Sequence, residues 1–265
     1  MKHDPASVDL RDHRDATAIA TAAGKMLLDL RPGLLAVGGP LDELRRKADH
    51  AANEFIVAQL AARHPDDPVL SEESVDPPGR LASPRVWIVD PLDGSSEYYE
   101  GRDDWGVNIA LVVDGVPVAG AVAVPAALGD TLGDTLSTQR PRDVPPREQW
   151  PVIVVSRSRP PAFAAAVAER LHAELRPLGS AAAKTAAVVI GEADVYLHAG
   201  GMHEWDSAAP VALATACGLH ASRLDGRPLR YNRPDTYLPD LLICRRELAD
   251  DVLDAVRDMC RGRPG

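Results

Sequence analysis

Apolar residues recur every three or four positions near the start of the chain, and they include Ala16, Ile19 and Leu27. Side chains at that spacing fall on one face of an α-helix. The pattern predicts a helix over about Ser7–Leu30. We expect it to end at Pro32, because proline disfavours a helix interior.

A second helical pattern runs over Phe55–His64. Asp49 lies near its predicted start, where a carboxylate can accept hydrogen bonds from the free N–H groups of a first turn. Residues 41–48 fit either an earlier turn of this helix or a separate element, and the pattern does not decide between the two.

Short apolar runs with turn residues between them predict strands in the middle of the chain. One begins at Val69, and another, Val86–Val89, ends directly before Asp90. The stretches 106–113 and 116–124 are separated by Asp-Gly, which is typical of a tight β-hairpin.

Strand-like and helix-like stretches alternate after about residue 150, as in a layered α/β fold. The strand-like stretches are 152–155, 195–197, 219–222 and 241–244, and the helix-like stretches are 162–173, 181–190, 207–217 and 248–260. Residues 138–151 are rich in proline and charge. They predict a boundary between an α+β domain, 1–147, with most candidate metal ligands, and an α/β domain, 148–265.

The net charge of −10, from 29 basic and 39 acidic residues, disfavours nucleic acid and anionic membranes as partners. Three cysteines without paired spacing, Cys217, Cys244 and Cys260, indicate a reducing compartment. No apolar run follows Met1, so we expect a cytoplasmic protein. An acidic chain also needs local cations if it is to bind a phosphate ester.

Four acidic residues stand beside the ends of apolar runs: Glu72, Asp90, Asp93 and Asp206. Carboxylates at strand ends and helix starts can converge on one spot, and their hard oxygen atoms suit Mg²⁺. An isolated acidic turn is more often an ordinary polar turn, so this spacing alone leaves both interpretations open.

The segment Asp90–Ser95 (DPLDGS) has a specific physical interpretation. Pro91 favours a sharp turn after the strand, and a three-residue step would bring both aspartates to the same side of it. Gly94 lets the backbone approach a ligand closely. The amides of Gly94, Ser95 and Ser96 can then face an anion. The EF-hand spacing and the Walker A pattern are both missing.

Three segments, in this order, resemble the signatures of the inositol monophosphatase superfamily of lithium-sensitive, magnesium-dependent phosphatases. They are Ser71–Ser74 (SEES), Asp90–Ser95 and Trp205–Ala209 (WDSAA). The resemblance extends over about residues 15–245 and implies a five-layer αβαβα sandwich with the site between its two halves. Relatives of this kind are often homodimers, and the sequence leaves that partner open.

The resemblance also implies metal ligands. The first magnesium ion would be held by Glu72, Asp90 and the Leu92 carbonyl, and the second by Asp90, Asp93 and Asp206. A third, weaker ion would lie near Glu72. Mn²⁺ is an alternative metal.

Two further residues take catalytic roles by the same resemblance. Asp49 would position water around the third ion. The Ser95 hydroxyl and Glu72 would orient the metal-activated water that attacks phosphorus. The superfamily usually has threonine where this chain has Ser95, so we expect a less fixed hydroxyl and an activity that survives at the same or a lower level.

Within the superfamily, the chain is most similar to the bacterial 3′-phosphoadenosine 5′-phosphate phosphatases of sulfate assimilation. Val155–Ser158 (VSRS), Gly179–Lys184 (GSAAAK) and Leu224–Tyr231 (LDGRPLRY) carry this closer resemblance. Inositol monophosphatases have a glutamate where this chain has Ala199, which also favours a nucleotide substrate.

The expected substrate contacts are Gly94, Ser95, Ser96, Ser156, Arg157, Ser180, Lys184, His203 and Arg230. Each basic residue has a plainer interpretation: Lys184 as a solvated helix lysine, Arg157 and Arg230 as ordinary surface arginines, and His203 as a structural histidine.

Three functional hypotheses follow. The leading one is a 3′(2′),5′-bisphosphate nucleotidase that forms AMP and phosphate. A phosphatase of inositol monophosphate or fructose 1,6-bisphosphate is the alternative on the same fold. A non-catalytic protein that binds metal or phosphate is the third.

Overall fold

The structure is a computed structural model that describes residues 8–37, 41–126, 135–147 and 150–261. Its helices are α1 (Leu10–Val37), α2 (Leu41–Arg63), α3 (Ser95–Tyr99), α4 (Ala164–Arg170), α5 (Ala181–Ile190), α6 (Glu204–Ala216) and α7 (Ala249–Arg261). Its strands are β1 (Val69–Ser71), β2 (Arg85–Asp93), β3 (Gly106–Val113), β4 (Val116–Ala123), β5 (Thr135–Ser137), β6 (Val152–Ser156), β7 (Glu174–Leu178), β8 (Val195–His203), β9 (His220–Ser222) and β10 (Tyr237–Cys244).

The strands form two mixed sheets. The first has the order β1-β2-β3-β4-β5, in which β1 is parallel to β2 and the other pairs are antiparallel. The second has the order β7-β6-β8-β10-β9; β6 runs parallel to β7 and β8, and β10 antiparallel to β8 and β9. A βαβ-type connection through α5 or α4 explains why parallel pairs occur in the second sheet.

Five layers result from the packing of the helices on these sheets. Helices α1 and α2 cover the outer face of the first sheet, and α4 and α7 pack together on the outer side of the second. Helices α5 and α6 lie between the sheets and contact both. This middle layer is rich in alanine and valine, whose small side chains let two sheets and a helix layer approach closely. The five-layer αβαβα sandwich expected from the sequence is confirmed.

Helix α1 continues beyond the predicted stop at Pro32 and reaches Val37. Contacts from the rest of the fold hold its second half. The Arg31 guanidinium donates a 2.6 Å hydrogen bond to the Arg102 carbonyl and lies 5.8 Å from the ring centres of Tyr98 and Trp105. Tertiary contacts therefore outweigh the missing proline N–H, and the predicted end of this helix was wrong.

Helix α2 is continuous from Leu41 to Arg63, so residues 41–48 are its first turns. No glycine or proline interrupts this stretch. Asp49 therefore lies inside the helix, and the prediction that it caps the N-terminus was wrong.

The predicted hairpin is confirmed, with Asp114 and Gly115 both at positive φ (49° and 77°) in the turn. Two strands, β5 and β7, were missed because β5 is only three residues long and β7 alternates poorly and contains Pro177. None of the helices in the described ranges has the length and apolar character needed to cross a membrane. The division into domains 1–147 and 148–265 stays a prediction.

Candidate active site

Three carboxylates converge where β2 ends and α6 begins. Asp90, Asp93 and Asp206 each place a carboxylate oxygen within 4.8 Å of the other two. Asp90 and Asp93 are buried, with 1% and 6% of their surface exposed, and Asp206 is half-buried. The residues come from both halves of the sequence, so the fold itself assembles the group.

An irregularity in β2 brings Asp90 and Asp93 together. Side chains three residues apart on a regular strand point to opposite faces of the sheet. Asp90 pairs with Asn108 and Asp93 with Gly106, so β2 has one residue more than β3 over this interval. Such a bulge reverses the alternation, and Pro91 is tolerated there. The predicted turn directly after Val89 was wrong, because the strand continues through the bulge to Asp93.

The side chain of Asp93 lies at the N-terminus of α5. It accepts hydrogen bonds from the amides of Ala181 (3.2 Å) and Ala182 (2.6 Å) and from the Asn108 side chain (3.0 Å). The exposed N–H groups of a helix N-terminus stabilise a negative charge. A residue of the first sheet thus caps a helix of the middle layer.

Asp206 lies in the first turn of α6. Its carboxylate accepts a 2.6 Å hydrogen bond from the backbone N–H of His203, within a capping box. This bond fixes the side chain at the helix start and satisfies a donor that α6 leaves free. The N-termini of α5 and α6 therefore both face the carboxylate group.

Burial and mutual repulsion keep these carboxyl groups from ionising easily. Burial raises the pKa of Asp90 well above its usual value, and the charges of Asp93, Glu72 and Asp206 raise it further. Burial and Asp206 raise the pKa of Asp93 to about 6, against the hydrogen bond from Ala182 and the charge of Lys184. Burial also raises the pKa of Asp206.

Glu72 extends this group at its rim. It directly follows β1, and its backbone N–H donates to the Val89 carbonyl of β2. The residue as a whole is exposed, yet its carboxyl group is partly withdrawn from water. That withdrawal, with the nearby charges of Asp206, Glu73, Asp93 and Asp49, raises its pKa to about 8.

These observations describe a site that fits a divalent cation. Its donors are hard carboxylate oxygens, which suit Mg²⁺. Glu72, Asp90, Asp93 and Asp206 all have raised pKa values. These four carboxyl groups stay ionised together only when a cation supplies positive charge. The ligand roles of Glu72, Asp90, Leu92, Asp93 and Asp206 stay predictions, as do the catalytic roles of Asp49 and Ser95.

The loop after β2 turns sharply at Gly94. This glycine has φ 85°, and a Cβ there would lie 2.9 Å from the Cβ of Ser180. A side chain is therefore excluded by conformation and by space. The turn lets α3 begin at once and places Ser95 and Ser96, both half-buried, in the cleft beside Asp93.

A cleft of about 390 Å³ opens from the carboxylates. It is lined by seven of the predicted substrate contacts: Gly94, Ser95, Ser96, Ser156, Arg157, Ser180 and Lys184. Two others lie outside this lining. His203 is exposed and stacks on Trp205, with ring centres 4.7 Å apart, and Arg230 is exposed.

The two predicted cations inside the cleft already have partners. Arg157 pairs with Glu97 at 2.9 Å and with Glu100 at 2.8 Å. The buried Lys184 ammonium donates to the carbonyls of Gly179 and Ser180, and burial lowers its pKa to about 8. The solvated-lysine interpretation is therefore excluded, while the substrate role of each residue stays a prediction.

Sequence reasoning missed several residues of the site. Asn108 could have been found as the one polar side chain in the apolar run 106–113, and the structure pairs it with Asp90 of β2. Glu97, Arg159, Tyr196 and His198 also line the cleft. No motif signals them, because their positions depend on how the second sheet meets α3.

A family model described as the inositol monophosphatase family matches residues 11–259. The chain belongs to the inositol monophosphatase family. The resemblance drawn from the three motifs is confirmed. Enzymes of this family are metal-dependent phosphatases, and the three converging carboxylates form a group that could hold a metal ion.

Curated relatives within the family share long alignments with this chain. A 3′-phosphoadenosine 5′-phosphate phosphatase of Mycobacterium bovis is 46% identical over 251 residues, which cover 90% of this chain and 91% of the relative. The 3′(2′),5′-bisphosphate nucleotidase CysQ of Escherichia coli K12 is 35% identical over 204 residues, 72% of this chain and 80% of the relative.

Solved structures of the family share the fold. CysQ from Bacteroides thetaiotaomicron matches with a TM-score of 0.74 and 28% identity, over 89% of this chain and 98% of that one. An inositol monophosphatase from Anabaena matches with a TM-score of 0.72 and 25% identity, over 93% and 95% of the two chains.

Proposed function

We propose that this protein hydrolyses 3′-phosphoadenosine 5′-phosphate with water to give AMP and inorganic phosphate. The observation that carries the proposal is the convergence of Asp90, Asp93 and Asp206 within 4.8 Å at the cleft. The 46% identity to a mycobacterial 3′-phosphoadenosine 5′-phosphate phosphatase supports this substrate.

The groups proposed to hold Mg²⁺ are the carboxylates of Glu72, Asp90, Asp93 and Asp206 and the carbonyl of Leu92. When bound, Mg²⁺ supplies Lewis acidity at phosphate oxygens and makes water more acidic. The chain's own contribution is to hold mutually repelling carboxylates in place. The N-termini of α5 and α6, through Ala181, Ala182 and His203, donate the hydrogen bonds that do so.

Glu72 and Ser95 are proposed to orient the attacking water. The Glu72 carboxylate would accept a hydrogen bond from this water, and the Ser95 hydroxyl would fix its direction. The raised pKa of Glu72, about 8, means that this carboxylate is available near neutral pH only when cations offset its neighbours. Asp49 lies close enough to act electrostatically on Glu72, which supports its proposed part in ordering water there.

The backbone at the start of α3 is proposed to bind the scissile phosphate. The positive φ of Gly94 brings the main chain to the cleft without an intervening side chain. Ser95 opens the helix, where backbone N–H groups have no acceptor within the helix itself. Donors fixed before the reaction stabilise charge that develops on phosphate oxygens.

An inositol phosphate is the less favoured substrate. Ala199, where inositol monophosphatases have glutamate, pairs in β8 with Asp240 of β10. Asp240 could in principle replace the missing carboxylate, but it is held by Arg223 at 2.7 and 2.8 Å and by the amide of Leu224. The bonds to Arg223 and Leu224 therefore disfavour Asp240 as a partner for an inositol hydroxyl group.

A phosphate-release assay tests the proposal. Purified protein with Mg²⁺ is given 3′-phosphoadenosine 5′-phosphate, inositol 1-phosphate or fructose 1,6-bisphosphate in parallel. We expect the highest kcat/KM with the bisphosphate nucleotide, complete loss with excess EDTA, and inhibition by lithium. Phosphate release from none of the three substrates would refute the enzymatic function. A higher kcat/KM with inositol 1-phosphate or fructose 1,6-bisphosphate would refute the proposed nucleotide substrate.

A further inference from the structure

The phosphate that is not hydrolysed needs a partner in the cleft. If the proposed function holds, the substrate carries a second phosphate that remains on the product AMP. This group enters a cleft that opens from the three converging carboxylates, in a chain of net charge −10. Without a cation of its own, the second phosphate would be repelled.

Two cations of the cleft are poorly suited to this task. The charge of Arg157 is offset by Glu97 and Glu100, and this ion pair joins β6 to α3. Lys184 is buried, and its ammonium is bonded to the carbonyls of Gly179 and Ser180 over the ring of Tyr196. A phosphate could recruit either residue only by breaking contacts that hold the cleft together.

Arg159 differs from both. It is exposed on the loop after β6, where its backbone N–H donates to the Ser156 hydroxyl at 3.2 Å. Among the residues that the structure describes, no carboxylate forms an ion pair with its guanidinium. Arg159 lines the same cleft as Asp93 and Asp206, so its charge is available beside the site.

The position of Arg159 suits a group on the same substrate as the scissile phosphate. Arg159, Asp93 and Asp206 line one cleft of about 390 Å³. His198 of β8 lines this cleft as well, and its pKa is lowered by burial and by the charges of Lys184 and Arg159. A substrate whose scissile phosphate lies at the carboxylates can therefore reach Arg159 within the same cleft.

The cleft continues past Arg159 into a second pocket of about 300 Å³. Its lining is mostly apolar and includes Pro160, Pro161, Phe163 and Gly200. Arg159 lines both cavities. A substrate that reaches Arg159 therefore has room to extend into the second pocket. A nucleotide is large enough to need this room, whereas a phosphate of a single small ring is not.

We propose that Arg159 is the specificity-determining residue of this phosphatase, and that its guanidinium binds the non-scissile phosphate of the bisphosphate substrate. A guanidinium suits this role because its planar N–H groups bind two phosphate oxygens at once. Arg157 then has a structural role, because its ion pairs with Glu97 and Glu100 connect the end of β6 to α3.

Steady-state kinetics with two substrates test this assignment. 3′-Phosphoadenosine 5′-phosphate has both phosphates, whereas 3′-AMP has only the one to be hydrolysed. We expect Arg159→Gln to raise KM for the bisphosphate by about 10- to 100-fold and to leave kcat nearly unchanged. With 3′-AMP, both constants should stay within about twofold of wild type. Arg159→Lys should recover part of the affinity, because lysine keeps the positive charge but lacks the planar guanidinium that binds two phosphate oxygens at once.

Arg140→Gln is the matched control. Arg140 is exposed beyond β5, outside the lining of both cavities, so the variant makes the same charge change away from the cleft. It should match wild type with both substrates. Equal melting temperatures of the three variants and wild type would show that folding is unaffected.

The outcomes separate this inference from the proposed function. If the wild type fails to hydrolyse the bisphosphate, the proposed function is refuted and the inference with it. If the wild type hydrolyses it and Arg159→Gln has an unchanged KM, or loses both substrates equally, the inference alone is wrong. A selective rise in KM for the bisphosphate supports both.

Discussion

Strand β2 has a cluster of ionisable side chains near each end, and the two clusters are built in opposite ways. The paired cluster, at its start, consists of Asp12, Asp15, Arg63, His64, Asp67 and Arg85. Arg85 contacts Asp12 at 2.9 Å and Asp67 at 3.0 Å, and Arg63 contacts Asp15 at 3.3 Å. The open cluster, at its end, consists of Glu72, Asp90, Asp93 and Asp206.

The difference lies in the balance of charge. In the paired cluster, cations of the chain itself stand beside the acids, and the group joins α1, α2 and β2. In the open cluster, hydrogen bonds and helix N-termini restrain the acids, while the buried Lys184 contacts carbonyls instead. A buried acid that is balanced within the chain supports the fold, whereas an unbalanced one indicates a cation from outside.

Asp90→Asn gives the largest expected effect. It removes a proposed metal ligand and should lower kcat/KM by at least about 1000-fold. In EDTA the same variant should melt at or above the wild-type temperature, because it relieves repulsion and loses only one backbone contact, from Leu92. Enzyme assays and thermal melts measure the two effects. A large drop in melting temperature would show that the open cluster is structural.

Arg85→Met should lower stability and leave activity intact, which is the reverse of the effect expected for Asp90→Asn. It leaves the buried Asp12 and the half-buried Asp67 without their arginine, and we expect the free energy of unfolding to fall by about 3 kcal/mol. The folded fraction should keep a normal kcat. Urea denaturation measures the loss. As a control, Arg170→Met removes a half-exposed pair with Asp258 and should lose less than about 1 kcal/mol.

The stability of the metal-free protein should fall as pH rises from about 5 to 8. The folded-state pKa is raised to about 6 for Asp93 and about 8 for Glu72, above the usual values of 3.8 and 4.5 for these side chains. At pH values between the unfolded-state and the folded-state pKa of each group, the folded state holds more protons than the unfolded state. Each rise in pH over this range therefore favours unfolding. Asp93 alone accounts for a loss on the order of 1 kcal/mol over this pH range in EDTA, and the exposed Glu72 adds an amount that solvent screening reduces.

Magnesium should abolish most of this pH dependence, because it binds the deprotonated carboxylates. Denaturation curves at pH 5, 6, 7 and 8, with and without Mg²⁺, provide the comparison. Asp90→Asn in EDTA should show a shallower slope than wild type. A flat wild-type profile in EDTA would contradict the electrostatic account of the open cluster.

Asp93→Asn gives the smallest expected effect. It distinguishes the stability gained by removing a repelling negative charge from the stability lost when the cap of α5 is weakened. Like Asp90→Asn it removes a negative charge, but it also weakens the hydrogen bonds to the amides of Ala181 and Ala182. We expect its metal-free form to be about 1 kcal/mol less stable than that of Asp90→Asn. Parallel thermal melts in EDTA measure the difference. Identical stabilities would mean that Asp93 contributes no cap to α5.

The layer order was predicted through the family resemblance, which rests on local motifs, and the proposed metal ligands stand in the same motifs. The acids of SEES, DPLDGS and WDSAA stand where strands end or helices begin. The hairpin across Asp114 and the helix Ala181–Ile190 also follow from local periodicity and turn chemistry.

Features set by distant contacts could not be predicted in this way. Arg31 keeps α1 helical past Pro32 through contacts with a loop some 70 positions away in the chain. The bulge between Asp90 and Asp93 depends on pairing with β3. Arg157 and Arg159 look alike in sequence, and only the placement of Glu97 and Glu100 distinguishes the engaged arginine from the available one.

The cap that Asp93 provides also limits how the molecule can move. A hinge motion that widened the cleft would pull the amides of Ala181 and Ala182 away from a buried carboxylate. Gly179 adds to this restraint, because a Cβ there would come within 2.4 Å of Glu97. We therefore expect the described part of the cleft to keep a fixed width while substrate enters and product leaves.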